Sequence, residues 1–249
     1  MRFTTLGILC TAMVIAVPAA AQPAPSPTAA ARKVVAAAKL PTVTNVPLYF
    51  KVQSIALAPG ERSSVSGTNS VLYQLSGSTD VSGVGEAKRL NAGDGLLILA
   101  GTTAELKVVS GAPSIVLQFL LSAASELDRP TATGPAAVRE LYRTVGPIPD
   151  LKSGPYDLNL TQVTFPAGMP SNAPHHRSGA ALYYVVSGTG ANTVDGKTEA
   201  KGPGSLVYEP YGLVHQWGNP GDEPLTFVTL NINHEGVAAV LPGVPPRTR

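Results

Sequence analysis

The feature that most constrains this chain is an internal repeat. Leu72-Tyr73-Gln74-Leu75-Ser76-Gly77 returns as Tyr183-Tyr184-Val185-Val186-Ser187-Gly188, with Tyr73 falling on Tyr184, 111 residues later. At the same offset Gly85 falls on Gly196, Gly93 on Gly204 and Gly101 on Gly212. A repeat of this length means one fold unit built twice. Glycines recur where tight turns need a left-handed backbone or a close approach. Between them lie short segments rich in β-branched and aromatic residues. They include Leu48–Leu57, Leu106–Val109 and Ser114–Leu121 in the first copy, and Leu158–Phe165, Val214–Trp217 and Leu225–Asn233 in the second. Short strands punctuated by turns read as an all-β sandwich or barrel. Asp195-Gly196 is a hairpin turn pair.

Two stretches break the β texture. Ala29 to Lys39 is Ala-rich and ends before Pro41, which suggests a short helix. Gly134-Pro135 opens a second segment, in which Val138, Leu141, Tyr142 and Val145 follow a helical stripe that Gly146 ends. This predicts a helix-bearing linker packed across a barrel mouth or the seam between the two units.

The N-terminus reads as a targeting segment. Arg2, an apolar run from Leu6 to Val17 and Pro18-Ala19-Ala20-Ala21 have the pattern of a secretory signal cleaved after Ala21. The run is too short to span a bilayer. Cleavage would remove Cys10, the only cysteine, so neither a disulfide framework nor thiol chemistry is expected in an exported, periplasmic or secreted product. The expected division is 1–21 signal, 22–44 Pro/Ala-rich linker, 45–125 first unit, 126–155 linker with helix, 156–236 second unit and 237–249 tail. A formal net charge of +2 with no basic run argues against nucleic-acid binding. The four histidines, His175, His176, His215 and His234, all lie in the second copy.

Gly204, Pro210, Gly212, His215 and Asn219 fill every fixed position of the second motif of the cupin family, which the segment therefore resembles. Gly93 to Ala104 is a degenerate copy, with Leu99 in place of Pro and Ala104 in place of His. Gly168 to Gly188 resembles the first cupin motif at its two glycines only. The resemblance implies a bicupin, two tandem jelly-roll barrels, the first a scaffold without chemistry. In that family two motif-one histidines, a Glu and the motif-two His converge on a metal. Here the Glu position is Ala181. One motif spacing places His175 and Arg177 in the histidine positions; the other places Pro174 and His176 there. Neighbours on a strand point to opposite faces, so the first count gives an inward set of His175, Arg177 and His215. Arg suits a carboxylate or phosphate rather than a cation. A backbone bulge would instead allow His175, His176 and His215 to hold a divalent metal, Fe, Mn, Zn or Ni. Glu209 could lend a carboxylate, Tyr184 is a further ligand candidate, and His234 has no motif support.

Three functions follow as expectations. The second barrel binds a small polar or anionic molecule, with or without a metal. Alternatively, the chain is a metal-dependent oxygenase, isomerase or lyase on a small acid or sugar. The third is a structural bicupin with a vestigial site. A homodimer through sheet edges is compatible with each.

Overall fold

The computed structural model describes residues 29–43 and 46–243. The expected signal segment, Cys10 and the Pro-rich stretch before residue 29 lie outside the described residues. Within them the chain is all-β, with one 3-10 turn at Ala124–Glu126. No helix among the described residues is long and apolar enough to cross a membrane.

The strands follow the repeat. β1 (Ala31–Val43) leads into β2 (Leu48–Leu57), β3 (Arg62–Ser66), β4 (Asn69–Ser76), β5 (Ser78–Ser82) and β6 (Lys88–Asn91). Next come β7 (Gly95–Ile98), β8 (Thr103–Val108), β9 (Ser114–Ala123), β10 (Ala132–Thr133) and β11 (Ala137–Arg143). The second copy supplies β12 (Gly154–Phe165), β13 (His175–Arg177), β14 (Ala180–Ser187), β15 (Gly190–Val194) and β16 (Lys197–Lys201). It ends with β17 (Leu206–Glu209), β18 (His215–Gly218), β19 (Leu225–His234) and β20 (Val240–Pro242). Four five-stranded antiparallel sheets result. Orders β11-β2-β9-β4-β7 and β10-β3-β8-β5-β6 belong to the first copy, and β1-β12-β19-β14-β17 and β16-β15-β18-β13-β20 to the second. Equivalent strands occupy equivalent places, so the sequence repeat is a repeat of barrels.

The two leading strands are exchanged. β1 precedes the first barrel but pairs with β12 of the second, with Arg32 opposite Val163. β11 precedes the second barrel but pairs with β2 of the first, with Val138 opposite Ile55. Each strand covers a sheet edge that would otherwise present unpaired N–H and C=O groups.

This exchange corrects both expected helices. The Ala-rich stretch becomes β1, and the Gly134–Gly146 stretch becomes β11, so no helical linker joins the barrels. Val138 and Val145 of the helical stripe are exposed, while Leu141 and Tyr142 pack against the core between the barrels. A register shift between Glu140 and Tyr142 interrupts the strand's alternation there, which imitates a helical pattern. Pairing with an open sheet edge outweighs the local preference.

Three apolar cores hold the molecule. Ile55, Leu72, Leu90, Leu106 and Val116 fill the first barrel. Phe165, Tyr183, Val185, Trp217 and Phe227 fill the second. The third lies between the barrels and joins Phe50, Val71 and Phe119 to Leu158, Leu182 and Leu230. Alternation on β14 therefore divides its side chains: Ala180 and Leu182 face the seam, and Ala181 and Tyr183 face the barrel interior. Ala104, the counterpart of His215, is fully buried among the apolar residues of the first barrel.

Candidate functional site

The histidine-bearing barrel carries a buried polar cluster on three strands. β13 and β18 place His175 directly opposite His215. Their rings meet edge to face with centroids 4.2 Å apart. Each is anchored through Nδ1 to a backbone carbonyl, Ala173 at 2.9 Å and Leu213 at 3.0 Å respectively.

Glu209 is the centre of the cluster, with no exposed surface. Its Oε2 accepts from Arg177 Nε at 2.9 Å, and its Oε1 accepts from Trp217 Nε1 at 3.0 Å. His215 Nε2 lies 2.9 Å from Oε2 but out of hydrogen-bond alignment, so proximity rather than a directed bond relates the two. Arg177 Nη1 donates to Asn231 Oδ1 at 3.2 Å, and the guanidinium carbon sits 5.2 Å from the centroid of the Tyr183 ring. Tyr183 in turn stacks on Trp217 at 5.4 Å.

The register explains how this set arises. Ala181, in the Glu position of the first motif, pairs with Glu209 across β14 and β17. The small side chain at 181 leaves room, and the carboxylate enters from the neighbouring strand instead. Arg177 shares a face of β13 with His175. His176 is on the opposite face, buried, with Nδ1 3.2 Å from the Arg177 carbonyl.

The structure thus brings His175, Arg177, Glu209 and His215 together. It leaves His176 and Tyr184 outside the cluster: Tyr184 lies on the seam face of β14, against the inter-barrel core. His234 is elsewhere, stacked on Tyr156. Trp217 and Asn231 join the site without having been singled out as ligands. Asn231 has no sequence mark beyond its place on an interior strand. A cavity of ≈ 20 Å³ adjoins the cluster, lined by Arg32, Asn172, His175, Arg177, Tyr183 and Trp217. That is room for about one water molecule. Arg32 reaches it only because β1 is exchanged.

Burial alone would push the Glu209 carboxyl up, but His215 and Arg177 hold it below the usual carboxylate range. Burial also holds His175 below the usual imidazole value. Both shifts act in one direction. A depressed folded pKa gives stability that is present above the unfolded value and lost as pH falls through the folded one. Stability is therefore expected to decline first below about pH 6.5, where unfolded His175 takes up a proton, and again below about pH 4, where unfolded Glu209 does. Acid titration followed by Trp217 fluorescence tests this. A Glu209→Gln variant should shrink the lower step, to which Asp80, Glu140 and Glu199 also contribute, and keep the upper one.

Residues 161–231, within the second repeat, match the family model described as Cupin domain. The mannose-1-phosphate guanylyltransferase of Escherichia coli (strain K12) is 32% identical over 93 residues, 37% of this chain and 19% of that protein. ManC of Salmonella typhimurium, also a mannose-1-phosphate guanylyltransferase, is 31% identical over the same length. The chain spans about a fifth of the length of these curated relatives. Among solved structures, oxalate decarboxylase from Bacillus subtilis at pH 4.6 aligns with a TM-score of 0.54 at 16% identity, over 81% of this chain and 73% of that one. AerE from Microcystis aeruginosa aligns with a TM-score of 0.54 at 17% identity, over 74% of this chain and 87% of that one. At these identities the fold alone is shared, and it extends over most of the chain.

Another structure of the Bacillus subtilis enzyme concerns its Mn(II) centres. The residues present here do not fit such a centre. The carboxylate is held by a guanidinium and an indole, His176 faces away, and no group of three or more His, Cys, Asp or Glu among the described residues is placed to hold a metal ion. A metal cation would have to displace or repel the fixed positive charge of Arg177.

Proposed function

We propose that the second barrel is a metal-free receptor for a small anionic molecule, whose acidic group meets His175, Arg177 and Arg32 at the narrow mouth. The observation that carries this reading is the buried Arg177–Glu209 pair: a guanidinium provides the cation inside the barrel. Glu209 balances Arg177, so Arg32 leaves the mouth with an excess positive charge for an incoming anion. Glu209 and Asn231 hold the guanidinium in position, and Trp217 forms the wall. The small cavity limits what enters to about one oxygen atom of the acidic group; the rest of the ligand would lie outside. The secretory reading of residues 1–21 belongs to the same proposal and makes this a receptor for an extracytoplasmic metabolite.

The relatives suggest the probes. Oxalate represents dicarboxylates, and mannose-1-phosphate represents sugar phosphates. Titration monitored by Trp217 fluorescence should show saturation by at least one of them. Arg32→Gln and His175→Ala should each weaken it about tenfold, a loss of about 1.4 kcal/mol. Near-stoichiometric Fe, Mn, Zn or Ni in the purified protein, lost in His215→Ala, would overturn the metal-free reading and favour a metal-dependent enzyme. The near-filled interior favours a second reading, a barrel kept for structure. Absence of saturation by either probe up to about 10 mM, well beyond useful affinity, would select it.

A further inference from the structure

The largest mismatch between cavity and chemistry lies outside the barrel. The cavity beside Arg177 has ≈ 20 Å³, whereas a cleft of ≈ 330 Å³ opens where residues 149–152 meet β19 and β20. The latter is within the range of small-molecule sites. We infer that this cleft is a second ligand site, built for a zwitterionic α-amino acid with an apolar side chain.

Its wall is rigid. Tyr156 and His234 stack with centroids 4.2 Å apart and planes 29° apart. The Tyr156 hydroxyl lies 3.0 Å from His234 Nε2 and accepts the Lys152 backbone N–H at 2.9 Å. The loop backbone is thereby tied to the aromatic plate. Leu151 and Leu241 line the cleft and give it an apolar side.

Its rim carries both charges. Asp150 and Lys152 line the cleft and are exposed. Neither forms an ion pair among the described residues. Two residues apart, their backbones lie within about 7 Å of each other, so one small molecule can meet both. Asp150 itself holds φ +60, a left-handed conformation uncommon outside glycine, which bends the loop at the rim. A carboxylate beside Lys152, an ammonium beside Asp150 and an apolar side chain against Leu151 and Leu241 would match both rim charges and the apolar side. A plain anion would leave Asp150 opposed to it.

The test is calorimetric titration of the protein with leucine, valine and phenylalanine. At least one should bind saturably, and 4-methylpentanoate and 3-methylbutylamine, which each lack one charge of leucine, should bind at least tenfold more weakly. Lys152→Met and Asp150→Asn should each weaken amino-acid binding about tenfold, or about 1.4 kcal/mol. Both positions are exposed, so the variants should fold. Arg32→Gln, at the barrel mouth, should leave it unchanged, which separates this site from the one proposed above. No saturable binding of any of the three amino acids, binding indifferent to both rim variants, or equal affinity for 4-methylpentanoate would each overturn the inference.

Discussion

Replacing Arg177 by methionine is expected to lower stability by about 3–5 kcal/mol, because it leaves the Glu209 carboxylate buried without its cation. Glu209 has no exposed surface, and Arg177 is 5% exposed, so water cannot replace the lost partner. Trp217 and His215 remain near the carboxylate, but neither supplies a permanent charge. For a chain of this size such a loss corresponds to a fall in Tm of roughly 10 °C. The double variant Arg177→Met with Glu209→Leu should recover most of the deficit, since apolar replacement of both partners of a buried pair is often neutral or better. Trp217 is the only tryptophan in the chain and touches Glu209, so its fluorescence reports the site directly. A single-variant loss under about 1 kcal/mol, or a double-variant loss equal to the two singles added, would show that the pair is not an interdependent buried unit.

The fold was readable because the repeat is written in turn residues. Glycines at one offset and strands between them lead to two all-β units, and the cupin resemblance adds the barrel topology. The two expected helices were misread for one reason: β1 and β11 are exchanged, and a sheet edge supplied by the opposite barrel leaves no local mark. The same exchange hid Arg32 from the site. The second motif points to His215, and strand parity puts His175 and Arg177 on one face. The absence of a Glu at 181 was also readable, but its consequence was not. Glu209 lies opposite Ala181 by cross-strand register. A pattern along one strand cannot contain that relation. Tyr184 was a ligand candidate because one of Tyr183 and Tyr184 must face the interior; alternation gives that place to Tyr183 and sends Tyr184 to the seam between barrels.

A second large effect is expected at Gly188, the glycine that ends the repeated motif. Its φ is +73, and an added Cβ would lie 2.5 Å from the Pro224 carbonyl oxygen and 2.8 Å from Leu225 Cα. Gly77 repeats the arrangement in the first barrel, with φ +73 and the Pro113 carbonyl oxygen at 2.8 Å. Two costs therefore combine in Gly188→Ala. The left-handed conformation costs about 1–2 kcal/mol for an L-residue, and forcing a methyl group against backbone adds about 1–3 kcal/mol. Gly196→Ala separates them: its φ is +74, yet nothing lies within 4 Å of the added Cβ. Denaturant midpoints should place Gly188→Ala well below Gly196→Ala, with the difference measuring the close approach. Equal losses would mean that backbone conformation alone selects the glycine. The site should feel the difference too. Gly188 joins β14, which carries Ala181 and Tyr183, to β15, where Asn192 pairs with Trp217. Displacing this turn moves both walls around Glu209, so Gly188→Ala should shift Trp217 emission where Gly196→Ala leaves it in place.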